Sequence, residues 1–203
     1  MRTRQSRSLD RALKKASKTQ TSILIVCEGE KTEPFYFYHW RRDLKQVADI
    51  TIVGGDICGT NPKNIVQYAR DHKEGYDSIW CVFDRDEHKK VPEAFDQAKA
   101  HGFNVAFSNP CFELWFLIHF QDQTAHIERV AVCRKVKSHI KGYEKSADIY
   151  GQLVNGQGRA IARAVDLRKR NRDNGKKETD NPSTGVDRLV VYLNSLNEAK
   201  KKK

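Results

Sequence analysis

Apolar and polar positions alternate between two rhythms along the chain. Ser22–Cys27 (SILIVC) is an unbroken apolar, β-branched run, the pattern of a strand buried on both faces. Asp49–Gly54 (DITIVG), Ser78–Phe83 (SIWCVF) and Phe103–Ser108 (FNVAFS) repeat it. Between these runs the period lengthens to that of helices. Thr32 is placed to cap a helix carrying Glu33 and Pro34 in its first turn. Asn61-Pro62 reads as a cap followed by a first-position proline. Pro92–His101 is closed by Gly102, and Asn109-Pro110 repeats the cap signal before CFELWFLIHF. After Phe120 the strand pattern stops. Ile127–Ile140 and Gly158–Arg172 read as helices, and Asn171–Asp180 as a polar loop. Asn181-Pro182 then opens a last helix.

Strands alternating with helices at this spacing predict βαβ units. The expected fold is α/β: a mainly parallel four-stranded sheet flanked by helices, with a helical C-terminal extension. The expected organisation is a basic tail over 1–20, a core over 21–120, an extension over 121–198 and a second basic tail over 199–203. In such sheets the functional crevice lies beyond the carboxyl ends of the strands. Here those ends are the turns 28–32, 54–61, 84–88 and 109–113.

Composition narrows the function classes. No apolar run among the 203 residues approaches the ~20 that a membrane helix needs, and the basic N-terminus has no apolar segment behind it to make a secretory signal. Five scattered cysteines (Cys27, Cys58, Cys81, Cys111, Cys133) form no CxxC pair, which suits reduced thiols in a cytoplasm rather than a disulfide framework or zinc knuckle. The net charge is +11, but seven basic residues against one acid lie in residues 1–20 and four lysines in 199–203. The body is therefore near neutral. Within it, Gly158–Lys177 holds eight basic residues against two acids. That segment is either a solvated helix face or a phosphate-contacting stripe formed by Arg159, Arg163, Arg168, Lys169, Arg170 and Arg172.

The strand-end turns carry the candidate chemistry. Asp84 and Asp86 directly follow the third strand, with Glu87 and His88 beside them. Carboxylates gathered this closely repel one another unless a cation lies between them. If the first and third strands are neighbours, Glu28 joins the two aspartates. A hard cation such as Mg²⁺ or Mn²⁺ takes one or two such carboxylates and completes its shell with water and substrate phosphate. GEKT (Gly29–Thr32) lacks the earlier glycine of a phosphate loop, and GxGxxG is absent after the first strand. CVFDRD matches the haloacid dehalogenase pattern locally but follows the third strand, not the first. Further candidates are Lys31, for a phosphate or as a surface lysine pairing with Glu33; His88, as general acid, ligand orienter or surface histidine; and Glu113, as a second-metal ligand or base or as an acid favoured by the helix start. Glu113 is the only charged side chain in its stretch unless His119 is protonated. Glu33 belongs either to the metal cup or to the helix start.

A glutamate-glycine turn after the first strand with Asp-x-Asp after the third is similar to the Toprim domain, a Rossmann-like fold. More closely, VCEGEKTEPFYF, FDRDEH, SNPCFELWFLIHF and NPSTGVDRLV resemble the RloB-like family, which includes the abortive-infection protein AbiLii. These stretches span Val26 to Val190. The resemblance implies a metal-dependent nuclease in anti-phage defence, commonly encoded beside an ABC-type ATPase, with Glu28, Asp84 and Asp86 as metal ligands. Nucleic acid is then the expected partner, in the cytoplasm and away from membranes, and a homo-oligomer is allowed. Two readings compete with it: a non-catalytic binding subunit of a defence complex, and a phosphatase of small phosphoesters.

Overall fold

The computed structural model describes residues 20–85 and 91–201. β1 (Thr21–Cys27) is an interior strand that runs parallel to β2 (Ala48–Val53) on one side and β3 (Ser78–Asp84) on the other. β4 (Asn104–Asn109) adds in parallel beyond β3. Among the described residues the sheet has five strands, ordered β2-β1-β3-β4-β5. The expectation of four is corrected by β5 (Ser183–Thr184), which pairs antiparallel with β4 through Ser108↔Thr184 and Asn109↔Ser183. Two polar residues cannot display a period-2 pattern, so nothing in their sequence marks them as a strand.

The apolar run of β1 is explained by burial on both faces. Ile23, Ile25 and Cys27 point into one hydrophobic cluster, Leu24 and Val26 into another. The smaller cluster is covered by α3 (Pro62–Asp71) and α4 (Val91–Ala100). The larger is covered by α1 (Thr32–Leu44), whose Tyr36, Phe37, Trp40 and Leu44 are buried in it. It continues without a break through α5 (Glu113–Phe120), α6 (Arg129–His139), α8 (Gln157–Asp173) and α9 (Val186–Lys201). The short helices α2 (Gly55–Cys58) and α7 (Tyr150–Leu153) complete the described elements together with a 3₁₀ turn at Val154–Gly156.

The three Asn-Pro signals part company. Asn61 caps α3 as expected, its Oδ1 accepting from the Lys63 amide at 3.0 Å. Asn109 and Asn181 cap nothing; both precede cis prolines, and the helices after them start only at Glu113 and Val186. Their amides are spent across the chain instead. Asn109 Nδ2 donates to the Thr179 carbonyl at 2.8 Å. Asn181 accepts from the Ile127 amide at 3.0 Å and donates to the Ile127 carbonyl at 2.8 Å. Thr32 also differs: it is the first residue of α1, after Lys31, and no side chain caps that helix.

α8 and α9 are joined by a buried ion pair. Arg168 donates to both carboxylate oxygens of Asp187, at 2.6 and 2.8 Å, and also to the Thr184 carbonyl at the end of β5. This two-point geometry is the strong form of the arginine–carboxylate contact. It fastens the C-terminal helix pair to the sheet edge.

Candidate metal centre

β1 and β3 are registered with Cys27 opposite Val82, and the Glu28 amide extends the ladder by donating to the Val82 carbonyl at 2.9 Å. Two residues further along β3, the Asp84 amide donates to Glu28 Oε2, also at 2.9 Å. The parallel pairing of β1 with β3 therefore brings a glutamate and an aspartate, distant in sequence, to one point at the carboxyl end of the sheet. The turn after Glu28 is shaped by what surrounds it. A Cβ on Gly29 would lie 1.9 Å from Glu33 Oε2, so any other residue there would displace that carboxylate from its present position. A Cβ on Gly55 would lie 2.1 Å from the Glu28 carbonyl oxygen. Gly55 thus lets the loop after β2 close onto the turn, and its amide donates to the Gly29 carbonyl at 3.2 Å.

Glu28, Glu33, Asp84 and Glu113 line a single cleft of about 510 Å³. They are only 7, 5, 6 and 3% exposed, so four acids share a poorly hydrated wall. Burial pushes the Glu33 carboxyl up from 4.5 to about 7, and repulsion from Asp84 and Glu113 adds to the rise. Hydrogen bonds from its own amide and that of Gly29 oppose it. The Tyr143 hydroxyl donates to Glu113 Oε1 at 3.4 Å. Burial, and then the Glu113 charge, push that phenol well up, which keeps it a donor. Glu30, Lys31, Thr32, Thr60, Arg129 and Lys145 also line the cleft. Carboxylates lining one space match the ligand preference of a hard divalent cation, whose charge would also offset the burial and the repulsion that hold Glu33 up.

The structure brings Glu28, Asp84, Glu113 and Lys31 into this one cleft. It also answers the question about Glu33, which lines the cleft although it sits in the first turn of α1. Asp86 and His88 lie outside the described residues. The proposed phosphate stripe is not one surface. Arg168 is corrected outright: it is buried against Asp187 and has no face for a phosphate. Arg163 is engaged by Asp122 and the Ile118 carbonyl, and Arg172 by Glu178. Arg159, Lys169 and Arg170 are exposed. His119 is no cation near neutral pH, since burial pushes its imidazole down to about 4 while Nδ1 donates to the Trp115 carbonyl at 2.7 Å.

Sequence reasoning passed over Arg129 and Lys145. They come from the region after Phe120 and bring positive charge to the acidic cleft. Both are single basic residues in mixed-charge segments, and no local pattern sets them apart. No helix among the described residues is long and apolar enough to cross a membrane.

No curated protein and no solved structure matches the chain. A family model, that of the RloB-like protein, matches residues 23–193, from within β1 to within α9. The match takes in every strand of the described sheet and all the carboxylates of the cleft, and the chain belongs to the RloB-like family.

Proposed function

We propose that the protein is a metal-dependent nuclease with a Toprim-like catalytic centre, hydrolysing phosphodiester bonds of nucleic acid. The observation that carries this reading is the gathering of Glu28, Asp84, Glu33 and Glu113 in one cleft at the carboxyl ends of the parallel strands. Glu28 and Asp84 would hold the metal, together with Asp86 from the segment that follows β3. Mg²⁺ or Mn²⁺, when bound, would polarise a phosphoryl oxygen and supply hydroxide at neutral pH. Lys31, Arg129 and Lys145 would draw the phosphodiester to the cleft and offset its charge. Glu33, pushed up to about 7, is suited to hold a proton near neutral pH, and Glu113 and His88 would assist proton transfer. Membership in the RloB-like family supports a place in anti-phage abortive infection, in the cytoplasm, beside an ABC-type ATPase.

The test is incubation of the protein with plasmid, single-stranded DNA and tRNA, with Mn²⁺ or with EDTA. Cleavage of at least one substrate is expected with Mn²⁺ and none with EDTA. Glu28→Ala and Asp84→Ala should each lower the rate at least about 100-fold, while circular dichroism stays unchanged. Full activity in either variant would sink the proposal. Nucleic-acid binding that ignores chelator, with no cleavage under any metal, would point to a binding subunit instead.

A further inference from the structure

Five cysteines scattered through the sequence give no hint of a cluster, yet two of them meet. Cys111 follows β4, Glu113 begins α5 and Cys133 lies in the middle of α6. Their Sγ, carboxylate oxygen and Sγ atoms all lie within 4.8 Å of one another. We propose that Cys111, Glu113 and Cys133 form a binding site for a thiophilic divalent cation, Zn²⁺ by its chemistry, distinct from the hard-cation site at Glu28 and Asp84.

Three arguments converge. The first is donor type. Two sulfurs and one carboxylate are a ligand set for zinc rather than magnesium, which takes oxygen alone. The second is geometry. Tetrahedral zinc at ordinary bond lengths holds its donors about 3.7 Å apart, so side-chain rotations of roughly an ångström close the set. All three ligands stand at the junction of the sheet with α5 and α6, two helices packed on each other. The third is charge. Two thiolates and a carboxylate around a divalent ion carry one net negative charge, and Arg129 and Lys145 place positive charge beside Cys133. Arg129 lies one turn before Cys133 on the same face of α6.

Three protein ligands leave zinc an open fourth position, the arrangement of an exchangeable or reactive site rather than a closed structural one. Glu113 lines the acidic cleft as well, so that position has a route to solvent. Binding would release the two thiol protons.

The proposal does not depend on nuclease activity, because its readout is spectroscopic. Fully reduced, chelator-stripped full-length protein is titrated with Co²⁺ as a zinc surrogate. Expected are a thiolate-to-cobalt charge-transfer band, ligand-field bands of tetrahedral intensity, saturation near one ion per chain, and bleaching when Zn²⁺ is added. Cys133→Ser replaces a half-buried side chain and should keep the fold, which circular dichroism checks. It should cut the charge-transfer intensity per bound ion at least by half and weaken Zn²⁺ binding at least about 100-fold against a chromophoric chelator. Cys58→Ser, remote from the set, should change neither. A wild-type spectrum without the charge-transfer band at saturating Co²⁺ would overturn the proposal, as would a band of undiminished intensity in Cys133→Ser.

Discussion

The chain buries charge in two places and treats it in opposite ways. At the α8–α9 junction, Arg168 and Asp187 meet fork to fork and cancel each other, with the Thr184 carbonyl taking a further guanidinium proton. In the cleft at the carboxyl ends of β1 and β3, four acids share one wall, and one of them is held up at about 7. The first arrangement is complete within the chain and serves attachment. The second accumulates like charge at a cost in stability, and structures retain such cost where something outside the chain is to be met. The contrast separates a charge pair that holds the fold from like charges gathered at the carboxyl end of the sheet.

The sharpest way to break the comparison is at the complete pair. Arg168→Met removes one partner and leaves the Asp187 carboxylate buried. Breaking a buried pair from one side costs about 3–5 kcal/mol. Urea denaturation should show a loss of that size. The double variant Arg168→Met with Asp187→Leu should recover most of it, because the stranded charge is gone too. If Arg168→Met is as stable as the wild type, the pair is not the fastening that its geometry indicates.

How much of this was legible without coordinates follows from where each partner lies. Glu28 stands directly after β1 and Asp84 ends β3, and the rule that sites form at strand carboxyl ends suffices to bring them forward. Asn61 was legible because its cap closes within two residues. Arg168 was not. It looks like its neighbours in a basic run, and its partner is nineteen residues away on another helix. Asn109 and Asn181 carry the same two-letter signal as Asn61, but their amides reach residues 70 and 54 positions distant. Glu33 fits equally well as an acid favoured by a helix N-terminus. Only the absence of a side chain at Gly29 shows that its carboxylate turns back toward the cleft. Cys111 and Cys133 illustrate the same limit: spacing rules detect ligands on one segment, and this pair is assembled by packing.

Glu33 lets the other half of the comparison be measured by pH. Its folded pKa is raised from 4.5 to about 7, so the stability associated with its protonated form is fully present below about pH 4.5 and is lost as pH rises through about 7. Glu33→Gln keeps the neutral shape and removes the titration. The variant should match the wild type near pH 4 and exceed it at pH 8 by up to about 3 kcal/mol, read by urea denaturation. Mg²⁺ or Mn²⁺ at pH 8 should narrow the gap by stabilising the wild-type carboxylate. A constant difference across the range would mean that burial and its acidic neighbours do not raise the Glu33 carboxyl.

The smallest effects belong to α8, where the comparison is repeated within a single helix. Arg163 and Arg172 face carboxylates of this chain, as Arg168 does, whereas Lys169 and Arg170 are exposed without belonging to such a pair among the described residues. An exposed cation that meets phosphate gives sequence-independent affinity and about one unit of salt dependence. Lys169→Ala with Arg170→Ala should therefore weaken retention of any nucleic acid a few-fold at low salt. The slope of log affinity against log salt should become shallower by about two units. Arg172→Ala should leave that slope nearly unchanged, because its charge is already answered by Glu178. Equal slope changes in the two variants would show that partners within the chain do not decide which basic residues reach the phosphate backbone.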